Sequence, residues 1–316
     1  MLLLDVVQTA ANVNFIITTI TSSLLIYLLI FRSKKRLGSY KYLIIFYALI
    51  ELMVAFVVMI SKIAAHSIPD CFILFVQIGA DQKKLGQFYI MQCVLLYAFM
   101  IGILAVHFLY RYFAVCHRSK LYYFEGVSLM HWVSFMFSLA VLITSLKYFF
   151  MGEFYEKTQL LRNEISINYN LKMEQIAYNG PLYYLDKFQY SSYATMLIIS
   201  FFILISGSIM VYCGYKCHKE LQTPGYKFSS DTLNIQKEMY TALIAQAAVP
   251  TILMYFPLES LFFLPMFGIK TGFYSNYAIG LATIFTSLDQ IVMILVIKDF
   301  RIFFCCFCNV QCDQII

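Results

Sequence analysis

VNFIITTITSSLLIYLLIF (residues 13–31), RSKKRLGSYK (residues 32–41) and YLIIFYALIELMVAFVVMI (residues 42–60) follow one another near the start of the chain, two long apolar runs on either side of a short basic linker. A hydrocarbon core of about 30 Å takes about 20 apolar residues at 1.5 Å each, so each run is long enough to cross a bilayer as one helix. Five more runs of this kind follow, at residues 87–110, 127–150, 191–213, 239–264 and 272–297. With 61% hydrophobic and 13% charged residues, a soluble chain of 316 residues would have no adequate polar surface. Lipid offers bare backbone no hydrogen bonds, and the runs have helical length rather than the short alternating pattern of barrel strands. The expected fold class is therefore all-α: a seven-transmembrane helix bundle forming one domain over residues 1–316, with a short tail at 298–316.

The linker also sets the orientation, because lysine and arginine in short loops are retained on the cytoplasmic side. Residues 32–41, 111–126, 214–238 and 298–316 hold 14 Lys and Arg in 70 positions, whereas residues 1–12, 61–86, 151–190 and 265–271 hold 8 in 85. This asymmetry predicts an extracellular N-terminus and a cytoplasmic C-terminus. The formal charge of +6 resides in these loops, a pattern of membrane orientation that gives no reason to expect a nucleic-acid partner. The opening MLLLDVVQTAANVN lacks the basic region of a secretory signal, so the first helix is expected to be retained. The loop at 151–190 is long enough to fold over a cavity mouth.

Helix count is an analogy of fold and does not settle function. Local sequence is more specific. At the basic end of the third run stands His107-Phe108-Leu109-Tyr110-Arg111-Tyr112-Phe113-Ala114-Val115-Cys116; the second run opens Tyr40-Lys41-Tyr42-Leu43 and contains Glu51. The long loop carries Tyr178-Asn179-Gly180-Pro181-Leu182-Tyr183-Tyr184, and the sixth run carries Gln246-Ala247-Ala248-Val249-Pro250 followed by Thr251-Ile252-Leu253-Met254-Tyr255-Phe256-Pro257. Leu288-Asp289 and Ile297-Lys298-Asp299-Phe300-Arg301 complete the series. In order and spacing this set resembles the nematode serpentine chemoreceptors of the Str type, within the G-protein-coupled receptors, over nearly the whole chain. The resemblance implies an olfactory-type receptor that detects a small-molecule odorant or other chemical cue and activates a heterotrimeric G protein. It also implies residence in the plasma membrane, in a sensory cilium. The chain departs from the large rhodopsin-like class: the seventh run lacks Asn-Pro-x-x-Tyr, and Tyr110 stands where that class has an acid.

Several residues are candidates for function. Arg111, followed by Tyr112, leaves the membrane where its planar donor fork would meet carbonyls at a G-protein helix C-terminus; the alternative is an anchor snorkelling to lipid phosphates. Glu51 and Asp289 are carboxylates inside apolar runs, where a centred charge costs about 2.5 to 3.5 kcal/mol. Both lie about 12 to 14 Å from the basic boundary, so they are expected either to share a proton, a cation or water, or to act as separate structural groups. Pro250 removes a backbone hydrogen bond at mid-depth and reads as a hinge or as a static bend. Depth alone nominates Gln92, Tyr97, Tyr193, Met196, Tyr255, Glu259, Tyr274 and Tyr277 for a ligand pocket.

The loop at 151–190 contains no cysteine, leaving Cys71 and Cys93 to form a disulfide or to stay as two thiols. Cys305, Cys306 and Cys308, just after the seventh run, suit lipidation of a segment lying on membrane lipids. Cys213, Cys217 and His218 have poor spacing for zinc. No phosphate-cradling loop, His-Glu-x-x-His or nucleophile elbow occurs, so no catalytic residue, metal or cofactor is expected. The rival class is a seven-helix ligand-gated channel or transporter using the buried carboxylates as an ion path; no inverted repeat supports it.

Overall fold

A peptide group in lipid can be satisfied only by another peptide group, and the apolar runs wind into helices accordingly. The structure, a computed structural model, describes residues 2–32, 40–183, 186–223, 230–298 and 300–301. Its helices are α1 (Leu2–Tyr27), continued by a π-helical turn at Leu28–Arg32, α2 (Tyr40–Ser61), α3 (Lys83–Cys116), α4 (Val127–Phe150), α5 (Tyr155–Tyr169), α6 (Asp186–Gln222), α7 (Ser230–Pro250), α8 (Phe256–Phe263) and α9 (Ser275–Val296). Among the described residues, seven helical stretches are long and apolar enough to span a membrane: α1, α2, α3, α4, α6, the α7–α8 stretch and α9. The fourth starts and stops where the sequence predicts. The third and fifth overrun their apolar runs, because Lys83 and Lys84 or Lys216 and Lys219 are good helix formers that carry the hydrogen-bond ladder into the polar rim.

The buried centre is α3, which packs against α2, α4 and α6. Met100, Ile103, Leu104, Ala105 and Val106 are fully enclosed there. At one end of the bundle the segments read as loops form a cap instead. Strands β1 (Ala64–Ile68), β2 (Cys71–Gln77) and β3 (Ile176–Asn179) make an antiparallel sheet in that order, with Phe75 opposite Tyr178. The reason is local: Pro69 and Asp70 supply turn chemistry between β1 and β2, and CFILFVQ is rich in β-branched and aromatic residues. Helix α5 lays Leu161, Ile165 and Tyr169 on the sheet, giving the cap its own apolar core with Ile73, Phe75 and Tyr178.

Polar contacts fasten the cap. Lys157, fully buried, donates to the carbonyls of Met151 (3.0 Å) and Gly180 (2.9 Å), and burial pushes its amine down to about 8. Asn276 of α9 exchanges hydrogen bonds with the Ala65 backbone, 2.9 Å in each direction. His66 Nδ1 lies 3.2 Å from the Tyr169 hydroxyl, and its Nε2 lies 3.7 Å from Glu164, which also accepts from Lys270 at 2.6 Å. Burial holds His66 down to about 4 despite the Glu164 carboxylate beside it. At the opposite end, a 3-10 turn at Arg118–Phe124 folds against α4: Phe124 stacks on Trp132 with ring centroids 5.3 Å apart, and Trp132 donates to the Tyr123 carbonyl at 3.2 Å.

Two outcomes are expected of the cap. A Cβ on Gly180 would stand 1.9 Å from the Phe72 carbonyl oxygen, so Gly180→Ala should cost roughly 1 to 3 kcal/mol and lower the melting temperature of the purified protein, while Gly79→Ala, with open space around it, should not. His66 is neutral in the fold, so its contribution is complete above its unfolded value of about 6.5 and is lost as pH falls towards 4, by roughly 3 kcal/mol. Glu164, held below the usual carboxylate range by Lys270, adds a loss of the same sign only below that range. Melting scans between pH 7.5 and 4.5 should show the decline, and His66→Gln should flatten it.

Candidate functional site

Beneath the cap, α3, α4, α6, the α7–α8 stretch and α9 enclose a cavity of about 100 Å³. Its walls are mostly aliphatic and aromatic side chains such as Ile101, Ile143, Phe202 and Phe262, with Leu74 of β2 at its boundary. Of the residues nominated by depth, Tyr97, Met196, Tyr255 and Glu259 converge on it. The other four do not line it. Tyr274 and Tyr277 stack on one another outside the cavity and are more than half exposed, Tyr193 turns towards Tyr183 with ring centroids 5.5 Å apart, and the half-buried Gln92 lies off the wall. Successive helical residues point about 100° apart, so depth leaves the facing side open.

Lys147 was missed by that reading. Placed near the end of its run, it looks like an ordinary boundary residue, yet it is 5% exposed, lines the cavity and rests its ammonium 4.3 Å from the centre of the Phe262 ring. The available signal was that Lys147 is the one lysine or arginine inside the seven apolar runs, and an ionisable residue at such depth marks a site by default. The cap bears directly on this wall: Asn179 of β3 donates to the Lys147 carbonyl at 3.0 Å, and the Tyr183 hydroxyl donates to the Phe262 carbonyl at 2.6 Å.

Deeper in the bundle, a polar chain crosses from α1 through α9 to α2. Asn14 donates to Thr286 at 2.9 Å and accepts from Ser287 at 2.6 Å; Thr21 donates to Gln290 at 2.6 Å, and Gln290 donates to Glu51 at 3.1 Å. Glu51 and Asp289 are almost wholly buried and close enough to interact, with Gln246 of α7 near Asp289. Among the described residues no hydrogen bond reaches either Asp289 oxygen, Glu51 Oε1, Gln246 Oε1 or the hydroxyls of Tyr47 and Tyr255. Tyr255 belongs to both places, lining the cavity and lying within electrostatic range of the carboxylates.

The sixth span breaks at this level. Helix α7 ends at Pro250, a π-helical turn covers Thr251–Tyr255, and α8 resumes at Phe256 with Pro257 in its first turn. Pro250 has no N–H to give the preceding turn, and the Thr251 hydroxyl bonds the Ala247 carbonyl there at 2.6 Å. Wide turns of this type occur frequently at functional sites.

At the end opposite the cap, Arg111 points into the bundle rather than out of it. It is 5% exposed, its guanidinium carbon lies 4.3 Å from the centre of the Tyr40 ring, and Nη1 donates to Gln236 of α7 at 3.0 Å. The outward-snorkelling anchor is thus corrected: Arg111 joins α2, α3 and α7, and its Nε and Nη2 have no hydrogen-bond partner among the described residues. Tyr112 instead meets His117, its hydroxyl 3.0 Å from Nε2. Cys71 and Cys93 are both free, the second of the two alternatives; Cys71 sits in the cap core, where burial pushes its thiol up to about 12, and Cys93 lines the cavity. Cys305, Cys306 and Cys308 lie outside the described residues.

Comparison with known proteins agrees with this arrangement of spans. Residues 7–305 match the family model described as the serpentine type 7TM GPCR chemoreceptor Str. The chain is similar to the Caenorhabditis elegans G-protein coupled receptor str-33, with 27% identity over 94% of this chain and 89% of the relative. It is also similar to serpentine receptor class r-10 of the same nematode, with 28% identity over 94% and 89%, and to G-protein coupled receptor str-217, with 26% over 93% and 88%. A match across nearly all of its length shows that the chain belongs to the Str family of serpentine seven-transmembrane chemoreceptors, a multi-pass membrane protein of the G-protein-coupled receptor class.

Proposed function

We propose that this receptor binds a small external molecule in the cavity beneath the cap and passes the change to a heterotrimeric G protein at the other end of the bundle. The observation that carries the proposal is Tyr255, which lines the cavity, approaches the buried carboxylates and stands in the π-helical turn that breaks the sixth span. A guest that displaces Tyr255 acts at once on the polar core and on the bend. In this reading the cap faces outside, as the loop charges require, and the basic loops form the docking face in the cytoplasm.

Switching then follows from contacts that differ between two states. Pro250 serves as the hinge, and rotation of α7 about it withdraws Gln236 from Arg111. The guanidinium so released offers its donor fork to carbonyls at a G-protein helix C-terminus. Glu51 and Asp289 hold a shared proton, cation or water that supplies the missing partners in the resting core and responds when Tyr255 moves. Reversible acylation of Cys305, Cys306 and Cys308 would fix the tail to membrane lipids beside the docking face, with the receptor in the plasma membrane of a sensory cilium.

The test is expression with an N-terminal epitope in cells carrying a promiscuous G protein, followed by a screen of small odorants for a calcium response. Antibody should label unpermeabilised cells, and Arg111→Ala should abolish the response at normal surface level; direct current in the absence of a G protein would overturn the receptor reading in favour of a channel. Pro250→Ala should reach the surface and signal weakly. For the carboxylates, Glu51→Gln and Asp289→Asn should combine non-additively in the half-maximal odorant concentration, with a coupling of roughly 0.5 kcal/mol or more; strictly additive effects would separate them.

A further inference from the structure

Two ionisable side chains of opposite type face the cavity from different helices, Lys147 of α4 and Glu259 of α8. They are near enough for their fields to act on each other. Among the described residues the ion pairs nevertheless lie elsewhere, in or beside the cap: Lys83 with Glu153, Arg162 with Glu174 and Lys270 with Glu164. The Lys147 ammonium rests on the Phe262 ring, and the buried Tyr255 hydroxyl on the same cavity wall, with Tyr47 near it, makes no hydrogen bond of good geometry among the described residues. The rest of the wall is mostly apolar, with Tyr97 and Cys93 as its other residues that carry a polar group.

Chemistry narrows what fits between such heads. An ammonium offers only donors and an ionised carboxylate only acceptors, so one group that satisfies both must accept and donate. With Lys147 and Glu259 held as an ammonium and a carboxylate, a guest carrying its own charge would leave an unbalanced charge in a medium of low dielectric, which is costly, whereas a neutral guest keeps the balance. A hydroxyl meets all three conditions with one atom. For size, an apolar cavity of about 150 Å³ accepts benzene, so about 100 Å³ suits roughly four to six non-hydrogen atoms. We infer that the cavity is a site for a small neutral alcohol, its hydroxyl accepting from Lys147 and donating to Glu259 while its carbon chain packs on Ile101, Ile143 and Phe202. As the receptor's natural cue such an alcohol rests on the function proposed above; as a binding site it stands on the cavity alone.

The test uses the full chain in lipid nanodiscs, with n-pentanol, methyl propyl ketone, n-pentane, valerate and n-pentylamine as probes and the rise in melting temperature as the measure of binding. A ligand that binds the folded state stabilises it by RT ln(1 + [L]/Kd), so at equal free concentration the five can be ranked on one scale. n-Pentanol should bind tightest, the ketone more weakly because it cannot donate, and the hydrocarbon and both charged probes more weakly still. Lys147→Met and Glu259→Gln should each reduce n-pentanol affinity about tenfold or more, and should leave n-pentane unchanged. Equal n-pentanol affinity in the wild type and both variants, tighter binding of either charged probe, or no stabilisation by any probe would overturn the assignment. The wild-type ranking decides the matter even where a variant folds poorly, and no G protein enters the measurement, so its result is separate from that of the odorant screen.

Discussion

A polar atom placed inside a bundle surrounded by lipid has to find its partner within the protein, and this requirement organises the molecule from end to end. It makes the apolar runs helical. Burial alone imposes the same requirement in the cap, where a wholly buried Lys157 is held between two backbone carbonyls and Asn276 of α9 exchanges two hydrogen bonds with a strand. It also gives meaning to the places where the requirement goes unmet. Among the described residues these include Glu51 Oε1, both Asp289 oxygens and the hydroxyls of Tyr47 and Tyr255 in the bundle, and Nε and Nη2 of Arg111 at the end opposite the cap. An unmet partner is costly in a static structure and useful in one that changes state, because a second arrangement can satisfy it.

Cap and bundle are built as one piece on the cavity side. Asn179 and Tyr183 bond the backbone of the residues that form the polar wall, Lys147 and Phe262, and so tie the position of the sheet to the shape of the space below it. The sixth span is different. Interrupted by Pro250 and a π-helical turn, it carries Tyr255 within the break, Glu259 on one side of it and Gln246 and Gln236 on the other. With a firm roof over an interrupted wall, the proposed response would be confined to the part of the structure that also reaches Arg111.

The bundle was legible because hydrophobic length is written in consecutive residues: α4 begins and ends where its apolar run does, and charged residues such as Lys83 blur the others only at the rim. The cap was legible in principle, since Pro69 and Asp70 separate two β-prone segments, but a reading tuned to twenty-residue runs passes over strands of five and seven. Glu51 and Asp289 are placed together by depth, a one-dimensional quantity. Tyr274 and Tyr277 show the limit of the same measure: they have suitable depth and point away from the cavity. Which way a side chain faces depends on neighbours brought by other helices, and the inward turn of Arg111 towards Tyr40 and Gln236 is likewise a property of the assembled bundle.

The packing of Phe124 on Trp132 has a practical consequence. Trp132 is the chain's single tryptophan, fixed parallel to a phenylalanine ring, its indole N–H bound to the Tyr123 carbonyl in the turn between α3 and α4. Its emission is therefore an optical signal confined to the end of the molecule that carries Arg111. The unlabelled receptor contains its own fluorophore beside the surface proposed for G-protein docking, at the end opposite the cap and its cavity, so a change in indole emission on adding a ligand would report transmission through the bundle rather than contact with the ligand itself.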